Sequence, residues 1–216
     1  MIKRNLIIIM VLAGVGLIYF QAEAKASDLE KISSGSPTLT AASDTARLNP
    51  KEPAGERIGE FSKGYQKWQT YVSAAGFDKG KGEMYAFHLG YGYFFMDDFS
   101  VNIDVLGSYI RSGIDDNGVA AGLDLILRQH PIKGPENLWS FYLELGAGLQ
   151  QQSTSFAGNR KFNFRLLGGG GATFRVAENA RLMAGMRYFH VSDAGIEGGG
   201  GGFDGLQFYA GSMFPF

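Results

Sequence analysis

The chain contains no cysteine. That removes disulfides, thiolate nucleophiles, cysteine-ligated zinc and a lipid-anchored N-terminal cysteine from consideration. It also lacks a charge bias: 20 basic and 21 acidic residues give a net charge of −1 at pH 7. No basic run is present, so nothing points to a nucleic-acid partner. After residue 20 there is no apolar stretch approaching the ~20 residues that a membrane-spanning helix needs. What the chain does have is glycine, 32 residues, and aromatic side chains, 13% of the total. That pairing favours many strands and turns and reads as an all-β protein. At 216 residues the chain suits one domain with a short appendage.

The N-terminus is patterned. Lys3 and Arg4 precede an apolar run from Leu6 to Phe20, and small-x-small sites follow at Ala22-Glu23-Ala24 and Ala24-Lys25-Ala26. A charged head, a short apolar run and an Ala-x-Ala site predict a cleaved signal peptide over 1–26, with an uncleaved anchor as the alternative. Residues 27–62 are rich in Ser, Thr, Pro, Lys and Glu and read as a polar segment.

From residue 63 to 216 the pattern is alternation. Phe87, Leu89, Tyr91 and Tyr93 oppose Ala86, His88, Gly90 and Gly92; Leu123, Leu125 and Leu127 oppose Gly122, Asp124 and Arg128. The same period recurs in seven segments, and a weaker strand near Trp68–Gly76 makes eight. Each is about ten residues or longer, the length of a tilted membrane-spanning strand. The polar faces carry Asp104, Asp124, Arg128, Glu144, Arg165, Arg181 and Arg187 among glycines. Such a face suits the filled interior of a small barrel whose apolar face meets lipid. The expectation is an eight-stranded antiparallel transmembrane β-barrel in a bacterial outer membrane; the alternative is a secreted lipocalin-like barrel or sandwich. An even strand count puts both barrel ends of the chain on the periplasmic side. Strand seven then runs outward, and Asp193–Phe203 becomes an external loop.

Near that loop the chain reads Tyr188-Phe189-His190-Val191-Ser192-Asp193-Ala194-Gly195. His190 and Ser192 share the parity of Leu182, Ala184, Met186 and Tyr188, so both belong to the lipid-facing side. Residues i and i+2 lie about 6.5–7 Å apart along a strand, a gap an imidazole can span. A serine needs a base within reach, and the base needs an orienting partner. A turn centred near residue 197 would set Asp204 opposite His190 on the same outer face. His190, Ser192 and Asp204 then form a base, a nucleophile and an orienting acid. The backbone N–H groups of Asp193 and Gly195 are the candidate oxyanion donors. The competing reading is a polar strand end at the membrane interface.

These residues, with the aromatic last strand ending at Phe216, resemble the outer-membrane lipid A 3-O-deacylases. That family has eight-stranded barrels with a His-x-Ser-Asn-Ala-Gly motif and a downstream Glu. The resemblance implies ester hydrolysis at the 3-position of lipid A with no metal or cofactor, the triad facing lipopolysaccharide in the outer leaflet. Here Asp193 stands where the family has Asn, and Asp204 where it has Glu. The other reading of the barrel is a non-enzymatic structural or adhesion protein, and whether it pairs as a homodimer is left open by the sequence. The remaining motifs are weaker. Gly198–Gly202 reads as a loop, Gly168–Gly171 as relief of crowding within strand six, and Asp115-Asp116-Asn117-Gly118 as a turn. His88 is expected in the lumen and His130 in a periplasmic turn; neither has metal-ligating partners.

Overall fold

The computed structural model describes residues 59–78, 82–156, 161–193 and 202–216. The expected signal peptide and the polar segment up to residue 58 lie outside the described residues. Eight strands follow in order: β1 (Gln66–Phe77), β2 (Gly82–Met96), β3 (Phe99–Ser112), β4 (Gly118–Lys133), β5 (Trp139–Gln152), β6 (Phe162–Ala177), β7 (Ala180–Ser192) and β8 (Gly202–Pro215). Each pairs antiparallel with the next, and β8 closes onto β1. Closure leaves no unpaired edge, which is the condition for a sheet to exist inside hydrocarbon.

Strand alternation sorts the side chains as the sequence pattern predicts. Outside, Leu143, Leu145 and Val105 are exposed, Leu145 at 68%. Inside, Arg128, Arg165 and Arg187 are among the largest fully buried side chains. The barrel is thus apolar outward and polar inward, the arrangement of a membrane barrel rather than a soluble one. Two-residue turns at 97–98 and 178–179 close one end, and the longest connections, 153–161 and 193–201, close the other. Short turns at the periplasmic end and longer loops outside are the usual asymmetry of such barrels.

The middle of the bore is filled by a connected polar network. Arg128 donates from Nη2 to Glu144 Oε2 at 2.8 Å and from Nη1 to Gln69 Oε1 at 3.0 Å. The other Glu144 oxygen accepts from Tyr209 at 2.7 Å and lies 3.6 Å from Arg187 Nη1. Arg187 reaches on to Gln207 and Tyr71, and Tyr71 donates to Asp104. Asp104 and Asp124 face one another across β3 and β4. Arg165 Nη1 lies 3.6 Å from Asp124, so a cation offsets that pair of acids. Burying such charges is tolerable because each has an opposite charge in the same low-dielectric space, although Arg165 and Asp124 meet only as an ion pair with no hydrogen bond. The glycines of β6 make room for this packing: a β-carbon on Gly169 would lie 2.5 Å from Arg187 Cα, and one on Gly171 would lie 2.5 Å from the Tyr142 hydroxyl.

Toward the long-loop end the filling becomes apolar, with Phe77, Phe156, Phe189 and Phe203 all buried. At the other end Phe61 is buried with its ring 4.4 Å from that of His130, and Glu60 accepts from Arg175 and Arg181 at 2.9 and 2.7 Å. Residues 59–62 therefore pack onto the short-turn mouth.

Two expectations change. His130 is not in a turn: it lies within β4, fully buried, with Nδ1 2.9 Å from Ser140 Oγ. The strand continues through Pro131 because the β4–β5 register shifts between Gln129 and Ile132. Such an irregularity needs no ladder donor, and so accommodates a proline. Phe203 is not in the external loop either. It belongs to β8 and turns into the bore, where aromatic packing extends the strand past the glycine run.

Glu144 is the hub of the network, so Glu144→Ala leaves Arg128 and Arg187 buried without their carboxylate. The expected cost is about 3–5 kcal/mol. It should appear as a lower unfolding midpoint in urea, read by tryptophan fluorescence of barrels reconstituted in lipid. Leu145→Ala on the outer face should leave that midpoint nearly unchanged.

Candidate active site

The site lies on the outer face where β7 ends and β8 begins. Along the outer side of β7 come Met186, Tyr188, His190 and Ser192, each set by alternation opposite to the buried Arg187, Phe189 and Val191. In the β7–β8 ladder His190 stands directly opposite Asp204, Tyr188 opposite Leu206 and Ser192 opposite Gly202. His190 Nδ1 and Asp204 Oδ1 are 2.8 Å apart, with side-chain exposures of 41% and 39%. A carboxylate only accepts, so this contact places a hydrogen on Nδ1, and in the neutral ring Nε2 is then the acceptor. The Asp204 backbone N–H donates to Asp78 Oδ1 at 3.4 Å, and Tyr188 lies on the same outer face opposite Leu206. The acid is therefore held at its side chain by His190 of β7 and at its backbone by Asp78, the residue that follows β1.

Ser192 shares the outer face with His190. Among the described residues no hydrogen bond joins its hydroxyl to the imidazole, so the structure brings the acid and base together and leaves the serine beside them. A β-carbon on Gly202 would lie 3.4 Å from His190 Cε1 and 3.6 Å from Ser192 Cβ. The absent side chain leaves a notch bordered by the imidazole edge and the serine. Gly202 was read from the sequence only as part of a flexible loop; its role beside the site shows only once the register is known. Tyr188 was likewise read only as a lipid-facing residue.

On the other flank the ladder sets Phe164 and Leu166 of β6 opposite Ser192 and His190. A small polar patch thus sits in an apolar frame, at the end of strands whose outer faces are greasy. Asp193 is buried, so its carboxylate turns away from the half-buried outer patch that holds Ser192. Gly195, the other expected oxyanion donor, lies outside the described residues. Among the described residues no cluster of His, Asp and Glu has the arrangement to hold a metal ion. His88 and His130 are both buried inside the barrel, remote in role from this face.

A serine, a histidine whose Nδ1 is tied to a carboxylate, and an open notch between them can support acyl transfer at an interface with lipid. The model of the lipid A 3-O-deacylase (PagL) family matches residues 54–212. Among solved structures, the outer membrane enzyme PagL is similar with a TM-score of 0.57 at 16% identity, covering 68% of this chain and 99% of that one. The outer membrane protein OprG from Pseudomonas aeruginosa is similar with a TM-score of 0.50 at 14% identity, covering 74% and 98%. At these identities the structural likenesses speak for the barrel alone. No curated protein matches the sequence.

If the notch at Gly202 receives substrate, Gly202→Val should fill it; valine suits a β-ladder, and its β-carbon, 3.3 Å from the Val191 carbonyl, asks only a small shift of the strand end. The expected result is a fall in kcat/KM of at least about 10-fold, measured on detergent-dispersed lipopolysaccharide. Folding, judged by the heat-dependent gel mobility of the barrel, should be unchanged.

Proposed function

The chain belongs to the lipid A 3-O-deacylase (PagL) family of outer-membrane ester hydrolases, and we propose that it removes the 3-O-linked acyl chain of lipid A with Ser192 as nucleophile, His190 as general base and Asp204 as the acid that orients the base. The observation that carries this reading is the 2.8 Å contact between His190 and Asp204 on the lipid-facing surface. Polar side chains at membrane depth are costly, and an ion-pair-competent couple there is retained for what it does.

In this mechanism Ser192 Oγ attacks the ester carbonyl while His190 Nε2 takes its proton. Asp204 accepts the Nδ1–H bond and stabilises the imidazolium that forms. Backbone N–H groups of Asp193 and Gly195 serve as donors to the tetrahedral oxyanion. The imidazolium then gives its proton to the departing sugar 3-oxygen, leaving the acyl group on Ser192. Water from the aqueous boundary attacks this ester, again with His190 as base, and releases the fatty acid and free serine. With the carboxylate of Asp193 turned inward, only its backbone is asked to act, which makes an aspartate compatible with a position where the family carries asparagine.

The outward position of the site also follows from the substrate. An acyl chain anchored in the outer leaflet reaches the half-buried Ser192 on the outer face by lateral diffusion and never has to enter the bore. The packed interior, with Arg128, Arg165 and Arg187 buried, weighs against solute passage as the purpose of the barrel.

Mass spectrometry of lipopolysaccharide incubated with the purified barrel tests the assignment. Wild type should release one 3-hydroxyacyl chain, and Ser192→Ala should release none. Identical spectra would leave a non-enzymatic barrel. For the acid, Asp204→Asn should lower kcat by about 10³–10⁴-fold, because an amide does not enforce the required tautomer. Asp204→Glu, the residue the family carries, should retain activity.

A further inference from the structure

Behind four polar residues at or beside the proposed site stands a buried apolar one. Asp78 follows Phe77, His190 follows Phe189, Ser192 follows Val191 and Asp204 follows Phe203, and all four apolar side chains are at most 6% exposed. Phe77 and Phe203 have ring centroids 4.6 Å apart, and Phe156, from the β5–β6 connection, inserts 5.1 and 5.0 Å from them. Phe189 packs edge-on to Phe203 at 6.2 Å and to Phe77 at 6.1 Å. Its partner in the ladder is Gly205, next to Asp204. A β-carbon on Gly205 would lie 2.6 Å from the Phe189 ring and 2.8 Å from the Gly76 carbonyl. The ring therefore lies across bare backbone, one ladder position from the His190–Asp204 pair.

We propose that Phe189 is a positioning residue: seated on Gly205 and wedged against Phe77 and Phe203, its ring fixes the relation of β7 to β8 at which His190 Nδ1 meets Asp204. A strand cannot shift one face without the other, so an inner wedge sets the outer hydrogen bond. The functional consequence rests on the catalytic reading given above. The wedge itself is a statement about geometry and has its own readout.

The test uses the full barrel, purified in detergent, and follows the downfield His190 Nδ1–H proton by NMR, assigned by its loss in His190→Ala. Phe189→Ala should abolish this resonance and lower kcat by about 10–100-fold with KM unchanged, the scale of loss from a misplacement of about 1 Å. Phe189→Met, which refills the volume, should restore both. Met84→Ala, a cavity in the same apolar cluster but on β2, should lower the unfolding midpoint and leave resonance and kcat intact. If Phe189→Ala does not fold, Gly205→Ala, which drives a methyl into the ring, is read in its place. Wild-type resonance and kcat in the folded variant would overturn the proposal, as would equal loss of resonance in Met84→Ala. Loss of the resonance with wild-type kcat would uphold the wedge and sink the catalytic assignment instead.

Discussion

Within hydrocarbon there is no water to satisfy a peptide group. Every backbone donor and acceptor must find its partner in the chain, and a sheet meets that demand only by closing on itself. The rest of this structure descends from that closure. Once β8 pairs with β1, each strand has one face to lipid and one to a bore too narrow for anything except side chains. Polarity is then inverted relative to a soluble protein, and the chain fills its core with arginines, acids and tyrosines that offset one another's charge.

That core is divided along its length. The middle is ionic and hydrogen-bonded, centred on Glu144 and the three arginines; the long-loop end is aromatic. The division has a physical sense. Charges in a closed, low-dielectric space need partners on several strands, and a ring of eight strands supplies them. The mouth is where the outer face carries polar residues instead of leucines. There the inner face supplies the apolar packing that the outer face has given up, so β7 and β8 stay ordered where they leave the membrane.

The site itself depends on the same two-faced geometry. A histidine and an acid directly opposed in an antiparallel ladder need no loop to bring them together; the register does it. Both sit on the outer face, which is why the proposed chemistry is assigned to a substrate that resides in the leaflet. Asp204 is fixed on two sides, by His190 at its carboxylate and by Asp78 at its backbone N–H.

Much of this was written in local sequence. Period-two alternation from residue 63 onward is enough to separate lumen from lipid, because a strand side chain has only two directions to take. A turn centred near residue 197 is enough to pair His190 with Asp204 from the sequence, but the register itself is set by the ladder of the closed barrel. Other features have no local signal. That His130 continues a strand through Pro131, that Phe203 and Phe156 turn inward to meet Phe77, and that Gly202 lies open beside the imidazole all depend on contacts between residues distant in the chain. Those contacts exist only after the barrel has closed, since packing and ladder partners across it are set by all eight strands together and by no single stretch of sequence.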